Sequence, residues 1–462
     1  MCRQAGRGLD PRNAAQMTEH VLAQLVCMGA HTVTGLINAS GRQFEDWTAD
    51  YRLYSRDRVV PERLFAPVRQ WICQQGEGPI VMAMDDTLVK KTGSKTHGVK
   101  YMRDPMGPPF RVNFIRAQRF IQISAAWQGK HGQARMIPVD WVHAPAPRKP
   151  GPKANEAAWN EYRARQQQAR ASAVGVERIC RMRAWLDENG AHQRPLWISV
   201  DAGYTNRTVL KALPHNTVLV GRIRADAKLH YLPDHQLPKG RRRVYGEHAP
   251  TPEQLRQDAS VPWQKVRVYF GGKKRTVRVK QLKPLRWRAA GDKHTVQLLV
   301  IAPTAYRLTK NGKRLYRKHA YLICTDPKAS AASVVQHYVW RWDIELNFRD
   351  EKTTLGVGDA QVLTPQAVQN VTGCAVAAYA MLLAAGTHCQ IHNKGLHLPP
   401  PKWQPQKAQR PTTNNLLRNL RYELWADAIH FSGFATKKAT TTKPEKNKPS
   451  LESALFYTIK PS

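Results

Sequence analysis

Four side chains in the stretch His337–Gly356 have the types and spacing to act together on a phosphodiester. Set on a helix at about 100° per residue, Tyr338, Arg341, Glu345 and Lys352 share a stripe within about 60° of arc. The other acids of the stretch, Asp343, Asp350 and Glu351, fall on other faces. One carboxylate therefore stands in a row with two cations and a phenol. Arginine offers phosphate oxygens a planar fork and lysine a point charge, while tyrosine donates a hydrogen bond and stacks. Arg349 lies close to the same stripe and could join it. The plainer reading is a solvated helix face laced by pairs such as Arg341–Glu345.

Two-metal phosphodiester chemistry needs further carboxylates from distant parts of the chain. Mg²⁺ is hard and prefers oxygen ligands. Two such ions about 3.5–4 Å apart activate the attacking oxygen and steady the leaving one. The apolar run Pro79–Met84 predicts a strand ending in Asp85-Asp86-Thr87, and Leu196–Val200 predicts another ending in Asp201. Strands alternate faces, so only one of Asp85 and Asp86 can enter a site; the residues alone leave that choice open.

The elements that must position these groups follow from the rest of the chain. It has 462 residues, enough for two or three domains, and its 42% hydrophobic content is enough for a core. Lys and Arg number 72 against 34 acids, a formal charge of +38 that recurs along most of the sequence. That points to a nucleic acid partner without separating a nuclease from a structural binder. Seven scattered cysteines with no C-x-x-C fit a reduced, intracellular protein. No basic-then-apolar signal opens the chain. The apolar run Cys374–Gly386 is too short to span a bilayer and predicts a buried core helix, so no membrane role is expected. His388, Cys389, His392 and His397 lack the regular pairing of a zinc site, and no phosphate-binding glycine loop occurs.

Residues 1–75 predict a helical domain with arginines among Trp47, Tyr51 and Tyr54, a candidate DNA-binding module. Residues 76–224 alternate strands and helices in the manner of an α/β core. Residues 225–325 predict a β-rich insertion with a hairpin turn at Gly271-Gly272-Lys273. Residues 326–395 close the core with the His337–Gly356 helix and a second, apolar one. Residues 396–462 are Pro- and Lys-rich, with one helix at Asn414–Ile429 and a Lys437–Pro449 run expected to be disordered.

With these residues in view, the chain resembles the bacterial insertion-sequence DDE transposases that carry a Y-(2)-R-(3)-E-(6)-K signature. Tyr338, Arg341, Glu345 and Lys352 match it at every offset, and Arg341-Trp342 and Ile344-Glu345 fit its R-W-x-I-E wording. Asp86 in MDDTLVKKTG, abutting Thr87, resembles the first aspartate of that family, and Asp201 in VDAGYTN resembles the second. The resemblance implies an α/β, ribonuclease-H-like mixed-sheet core flanked by helices, a β-rich insertion and a helical N-terminal domain. It implies Asp86, Asp201 and Glu345 as catalytic carboxylates holding two Mg²⁺ ions, with Mn²⁺ able to substitute. It implies phosphate contacts from Tyr338, Arg341 and Lys352, with Arg349 beside them, and an insertion aromatic that stacks on an extruded base. Trp263 and Trp287 are candidates for that aromatic, and Trp287, in LRWR, sits among cations. The implied partners are double-stranded DNA (inverted-repeat transposon ends and target) and a second copy of the chain in a synaptic homodimer. The implied reaction is cleavage and strand transfer, with a hairpinned end as one route, in the bacterial cytoplasm on the nucleoid. The competing expectations are a nuclease of the same fold without strand transfer, a catalytically inactive domesticated DNA-binding protein, and a generic basic RNA-binding protein.

Overall fold

The computed structural model describes residues 10–392 and 410–425, apart from 105, 106, 109, 130, 131, 235–241, 292, 293, 308 and 310. The Pro- and Lys-rich stretch from Leu396 through residue 409, with His397 in it, and the Lys437–Pro449 run lie outside the described residues. Of the expected Asn414–Ile429 helix, the part beyond residue 425 lies outside them too.

Among the described residues the chain opens with helices α1 (Pro11–Val26), α2 (Val33–Ala39), α3 (Thr48–Ser55) and α4 (Pro61–Cys73). Their starts follow local chemistry. The Asp10 carboxylate accepts from the Arg12 amide ahead of α1, and Thr32 accepts from Gly35 ahead of α2. Pro11 and Pro61 occupy first-turn positions where no amide is needed.

Strands β1 (Ile80–Lys90), β2 (Lys100–Arg103), β3 (Phe114–Gln128) and β4 (Ala134–His143) come next. β3 pairs antiparallel with β1, β2 and β4. Helices α5 (Glu156–Gln168) and α6 (Ala171–Glu188) then cross to β5 (Leu196–Val200), and α7 (Arg207–Lys211) leads to β6 (Thr217–Arg222). β5 runs parallel to both β1 and β6. The order β4-β3-β1-β5-β6, an antiparallel meander followed by two strands parallel to its first, is a ribonuclease-H-like core flanked by helices. β1 does not end at the aspartates, as its apolar run suggested. β3 partners each residue from Met82 to Lys90, so the backbone keeps its ladder through the polar half.

The 225–325 segment holds β7 (Leu229–Tyr231), α8 (Pro252–Gln257), β8 (Gln264–Phe270), β9 (Lys273–Trp287), β10 (Val296–Ile301), β11 (Thr304–Tyr306), β12 (Leu315–Arg317) and β13 (Ala320–Cys324). Gly271 and Gly272 turn β8 into β9 with φ of 59° and 77°, the two positive angles that a tight hairpin turn demands. β13 pairs with β6, β10 with β13, and β9 with β10, so this segment extends the core sheet to eleven strands. β11 and β12 pair separately.

Helices α9 (Ala331–Trp340), α10 (Asp343–Thr353), α11 (Pro365–Ile391) and α12 (Thr413–Trp425) complete the described chain. Ser330 caps α9 by accepting from Ser333. The single long helix expected at 337–356 is interrupted at Arg341 and Trp342. Both residues keep right-handed helical angles, but Trp342, Ile344 and Glu345 donate to Val339, Arg341 and Trp342, three residues back. The turn is wound tighter than an α-helix. α11 is apolar around its whole circumference because it is buried; 94% of its most apolar window lies inside the fold, as expected of a core helix.

One hydrophobic cluster runs from Met17 and Leu25 of α1 through β1, β3 and β5 to α11 and to Leu416 and Leu417 of α12. A second covers the other face of the sheet, joining Val81, Ala83, Trp197 and Val220 to Ala331, Val334, Val335 and Trp340 of α9. Buried Asp140 on β4 ties the helical layer to the sheet, accepting from Arg178 of α6 at 2.7 and 2.5 Å and from Arg69 of α4 at 3.2 Å.

Candidate active site

Strand alternation decides what β1 presents to each side. Ile80, Met82 and Met84 pack into the larger cluster, whereas Val81 and Ala83 pack toward α9. Continuing the alternation, Asp85 and Thr87 face the α9–α10 layer and Asp86 the opposite side. The side chains agree. Asp85 Oδ2 accepts from Arg341 Nη1 at 2.5 Å, and Thr87 Oγ1 accepts from Lys352 Nζ at 2.5 Å. Asp86 Oδ1 instead accepts from the Tyr204 hydroxyl at 3.0 Å. Because Ala83 pairs with Ser199 across the parallel β1–β5 ladder, the same face carries Asp85 on one strand and Asp201 just past the end of the other. Asp201 Oδ1 accepts from the amides of Gly203 and Tyr204 at 2.9 and 3.3 Å, which fixes its carboxylate at the strand exit.

Arg341 is the hub. Its guanidinium bonds Asp85, approaches Glu345 Oε1 at 3.6 Å and lies over the Tyr338 ring at 5.5 Å. Its Nε is buried without a partner. Burial works against its charge, yet Tyr338, Asp85 and Glu345 hold its pKa above the usual value. Burial raises the Asp85 carboxyl to about 7; Arg341 opposes the rise, and the charges of Asp201 and Asp86 add to it. Burial likewise raises Asp86 and Glu345, with Tyr204 opposing on the first and Arg341 and Arg317 on the second. Burial lowers Lys352 and raises Tyr338.

The structure therefore brings Asp85, Asp201, Tyr338, Arg341 and Glu345 to one region, with Lys352 further along β1. Arg349 instead pairs with Asp350 at 3.0 Å and is 62% exposed. Trp287 is half-buried against the main cluster on β9, five strand positions from β1, about 24 Å across the sheet at ~4.8 Å per strand. Trp263 is also packed against that cluster, with Lys280 over its ring at 4.9 Å.

Sequence reasoning passed over Thr87, Tyr204, Arg317 and Trp342. Trp342 is 46% exposed beside Arg341, with the Arg317 guanidinium 5.4 Å from its ring. Thr87 and Tyr204 sit inside the motifs that carried the aspartates. Arg317 is one cation among many in the 225–325 segment, and nothing in its spacing marks it.

The donor set suits a hard divalent cation: oxygen donors, partly desolvated, whose like charges raise one another. Among the described residues, no three His, Cys, Asp or Glu side chains stand close enough to hold an ion as they are. Arg341 stands between Asp85 and Glu345 and neutralises them in their present arrangement.

A ribonuclease-H-like sheet with aspartates on its first and fourth core strands defines a class of metal-dependent nucleases. Residues 8–291 match the DDE superfamily endonuclease family, more than half of the chain, and the chain belongs to that family. It is accordingly a metal-dependent nuclease acting on DNA. The match spans Asp85, Asp86 and Asp201 and stops before Glu345. A comparison with curated proteins finds no match.

Proposed function

We propose that this chain is a DNA transposase of the Y-R-E-K group, which binds the inverted ends of its own insertion sequence and joins freed 3′ ends to target DNA. The observation that carries the reading is the seating of α9 and α10 on β1: Arg341 on Asp85 and Lys352 on Thr87, with Glu345 between them on the helix. Asp85, Asp201 and Glu345 would hold divalent metal, Mg²⁺ or Mn²⁺ in its place. Asp85 takes the role that the motif suggested for Asp86, because Asp86 faces Tyr204 on the far side of the strand. A divalent ion bound there would lower the pKa of an attacking water and polarise the phosphoryl oxygen.

The chain's own residues do the rest. Arg341 is an internal counterion in the free protein. A scissile phosphate offers its fork an equivalent anionic partner, so substrate entry draws it off Asp85. Tyr338 sits beneath that fork and orients it. Lys352 supplies a second phosphate contact, and Arg349, exposed on the same helix, meets the DNA further out. Trp342, exposed beside the row, is better placed than Trp287 to stack on an extruded base. In this reading α1–α4 help read the DNA, 76–224 and 326–395 form the catalytic core, 225–325 is the insertion, and two copies pair the ends.

The test supplies end DNA, target DNA and Mg²⁺. Joined product that disappears in Glu345→Gln supports the reading. Hydrolysis without joining assigns the chain to nucleases that lack strand transfer. Binding without either reaction assigns it to inactive DNA-binding relatives.

A further inference from the structure

Beyond Lys352, where the row ends, a cavity of about 840 Å³ opens between the 27–32 loop, the end of β1, the start of β3, the loop after α10 and α12. Lys90, Arg116, Lys352 and Arg421 line it, and Asp359 is its only carboxylate among the described residues. Lys91 builds the wall rather than the charge, its Nζ donating to the carbonyls of Gly358 and Ala360 at 2.5 and 2.7 Å. Gly356 shapes the same wall at φ 56°, where a Cβ would meet His31 and Asp359.

Arg421 is the informative residue. It is 3% exposed, yet its Nε and Nη1 are buried with no hydrogen-bond acceptor. The ionisable groups beside it are the Cys27 thiol and the His31 imidazole, not a carboxylate. His31, 8% exposed on the same lining, has its Nε2 buried without a well-formed hydrogen bond, its ring interacts with the Gln24 backbone, and its Nδ1 stands 4.0 Å from Asp359. A guanidinium keeps its charge in proteins, and a buried charge without a partner is strongly disfavoured. The unpartnered Arg421 nitrogens, with the His31 ring on the same lining, point to an acceptor-rich, anionic guest.

We propose that this cavity binds a second backbone phosphate of the substrate DNA, flanking the scissile one, with Arg421 and His31 as its donors. The site rests on the DNA-nuclease reading alone and does not require strand transfer. Lys352, shared between the row and the cavity, makes the two phosphate positions continuous. The volume exceeds what one free phosphate needs and falls in the range of small-molecule ligand sites.

The test is a scan of end DNA carrying one neutral methylphosphonate at a time, read by fluorescence anisotropy over a salt series with the full chain. A neutralised phosphate next to the scissile one should weaken binding to wild type about tenfold and lower the salt slope by about 0.9. Arg421→Gln should bind unmodified DNA equally weakly and show no further loss at that position, while Arg421→Lys should recover part of it. If Arg421→Gln fails to fold, the wild-type scan with His31→Gln decides in its place. A flat scan outside the scissile phosphate overturns the proposal, as does an Arg421→Gln protein that folds and binds like wild type. Full competition by millimolar inorganic phosphate overturns the DNA assignment in favour of a free-phosphate site. Loss confined to the scissile position would leave the catalytic reading standing and this one refuted.

Discussion

Arg341 and Asp85 lie 256 residues apart in the chain and meet at 2.5 Å, a charged pair between the helix junction and the first strand of the sheet. The pair holds a carboxyl that burial pushes up to about 7. In Arg341→Gln, Asp85 keeps its burial and its like-charged neighbours but loses the opposing cation. Its pKa should rise further above 7, as seen by carboxyl-carbon NMR titration, and cleavage should fall by roughly a hundredfold or more, the scale for a lost charge-stabilising donor. An unchanged Asp85 titration would mean that the pair does not form in solution.

Lys352 and Thr87 separate position from charge. Thr87→Val removes the oxygen that holds the Lys352 ammonium but keeps the charge. End-DNA binding should weaken about threefold with an unchanged salt slope, whereas Lys352→Gln should lower the slope by about 0.9. Equal slopes in the two variants would remove Lys352 from the phosphate contacts.

Much of the fold, but less of the site, was legible in the sequence. Leu196–Val200 was delimited by its apolar run and the turn residues after it, and that strand stands where expected. The polar half of β1 was not, because its stability comes from pairing with β3 across to Lys90 and Ala117 rather than from its own residues. The same pairing fixes which aspartate faces α9. A motif supplies the order of Asp85 and Asp86 but not the side of the sheet on which the later helix will pack. The tightening at Arg341–Trp342 leaves both residues in helical angles, so no propensity marks it. The merger of the 225–325 strands with the core sheet depends on β13 finding β6 a hundred residues away. Arg421 is invisible for the same reason: its meaning comes from a loop near residue 30.

Glu351 gives a pH prediction. It is 1% exposed, and both its carboxyl oxygens are buried without a well-formed hydrogen bond. Burial raises its pKa to about 8, with Gln122 and Lys352 offsetting only part of the shift. The folded protein thus binds this proton more tightly than the unfolded chain, whose carboxyl titrates near ~4.3. The stability it contributes is complete below that value and is lost as pH rises through about 8, at ~1.4 kcal/mol per unit of pH. Glu351→Gln should flatten the decline in urea-derived stability between about pH 5 and 9. Parallel curves for the two proteins would show that the carboxyl is not buried as described.

The two tryptophans separate stacking from packing. Trp342→Ala removes an exposed ring and should leave the melting temperature nearly unchanged while reducing end processing. Trp287→Ala removes a ring packed on the main cluster and should cost about 2–3 kcal/mol of stability, somewhat below the range for a fully buried aromatic. The reverse pattern would return the stacking role to Trp287.

The central claim is that Asp85, Asp201 and Glu345 share divalent metal while Asp86 does not. It is tested most directly by titrating Mn²⁺ into the protein–DNA complex and following it by electron paramagnetic resonance. Asp85→Asn, Asp201→Asn and Glu345→Gln should each weaken Mn²⁺ binding by at least about tenfold, and Asp86→Asn should change it by less than about threefold. Wild-type affinity in Asp85→Asn or Glu345→Gln, or a loss confined to Asp86→Asn, would contradict the account.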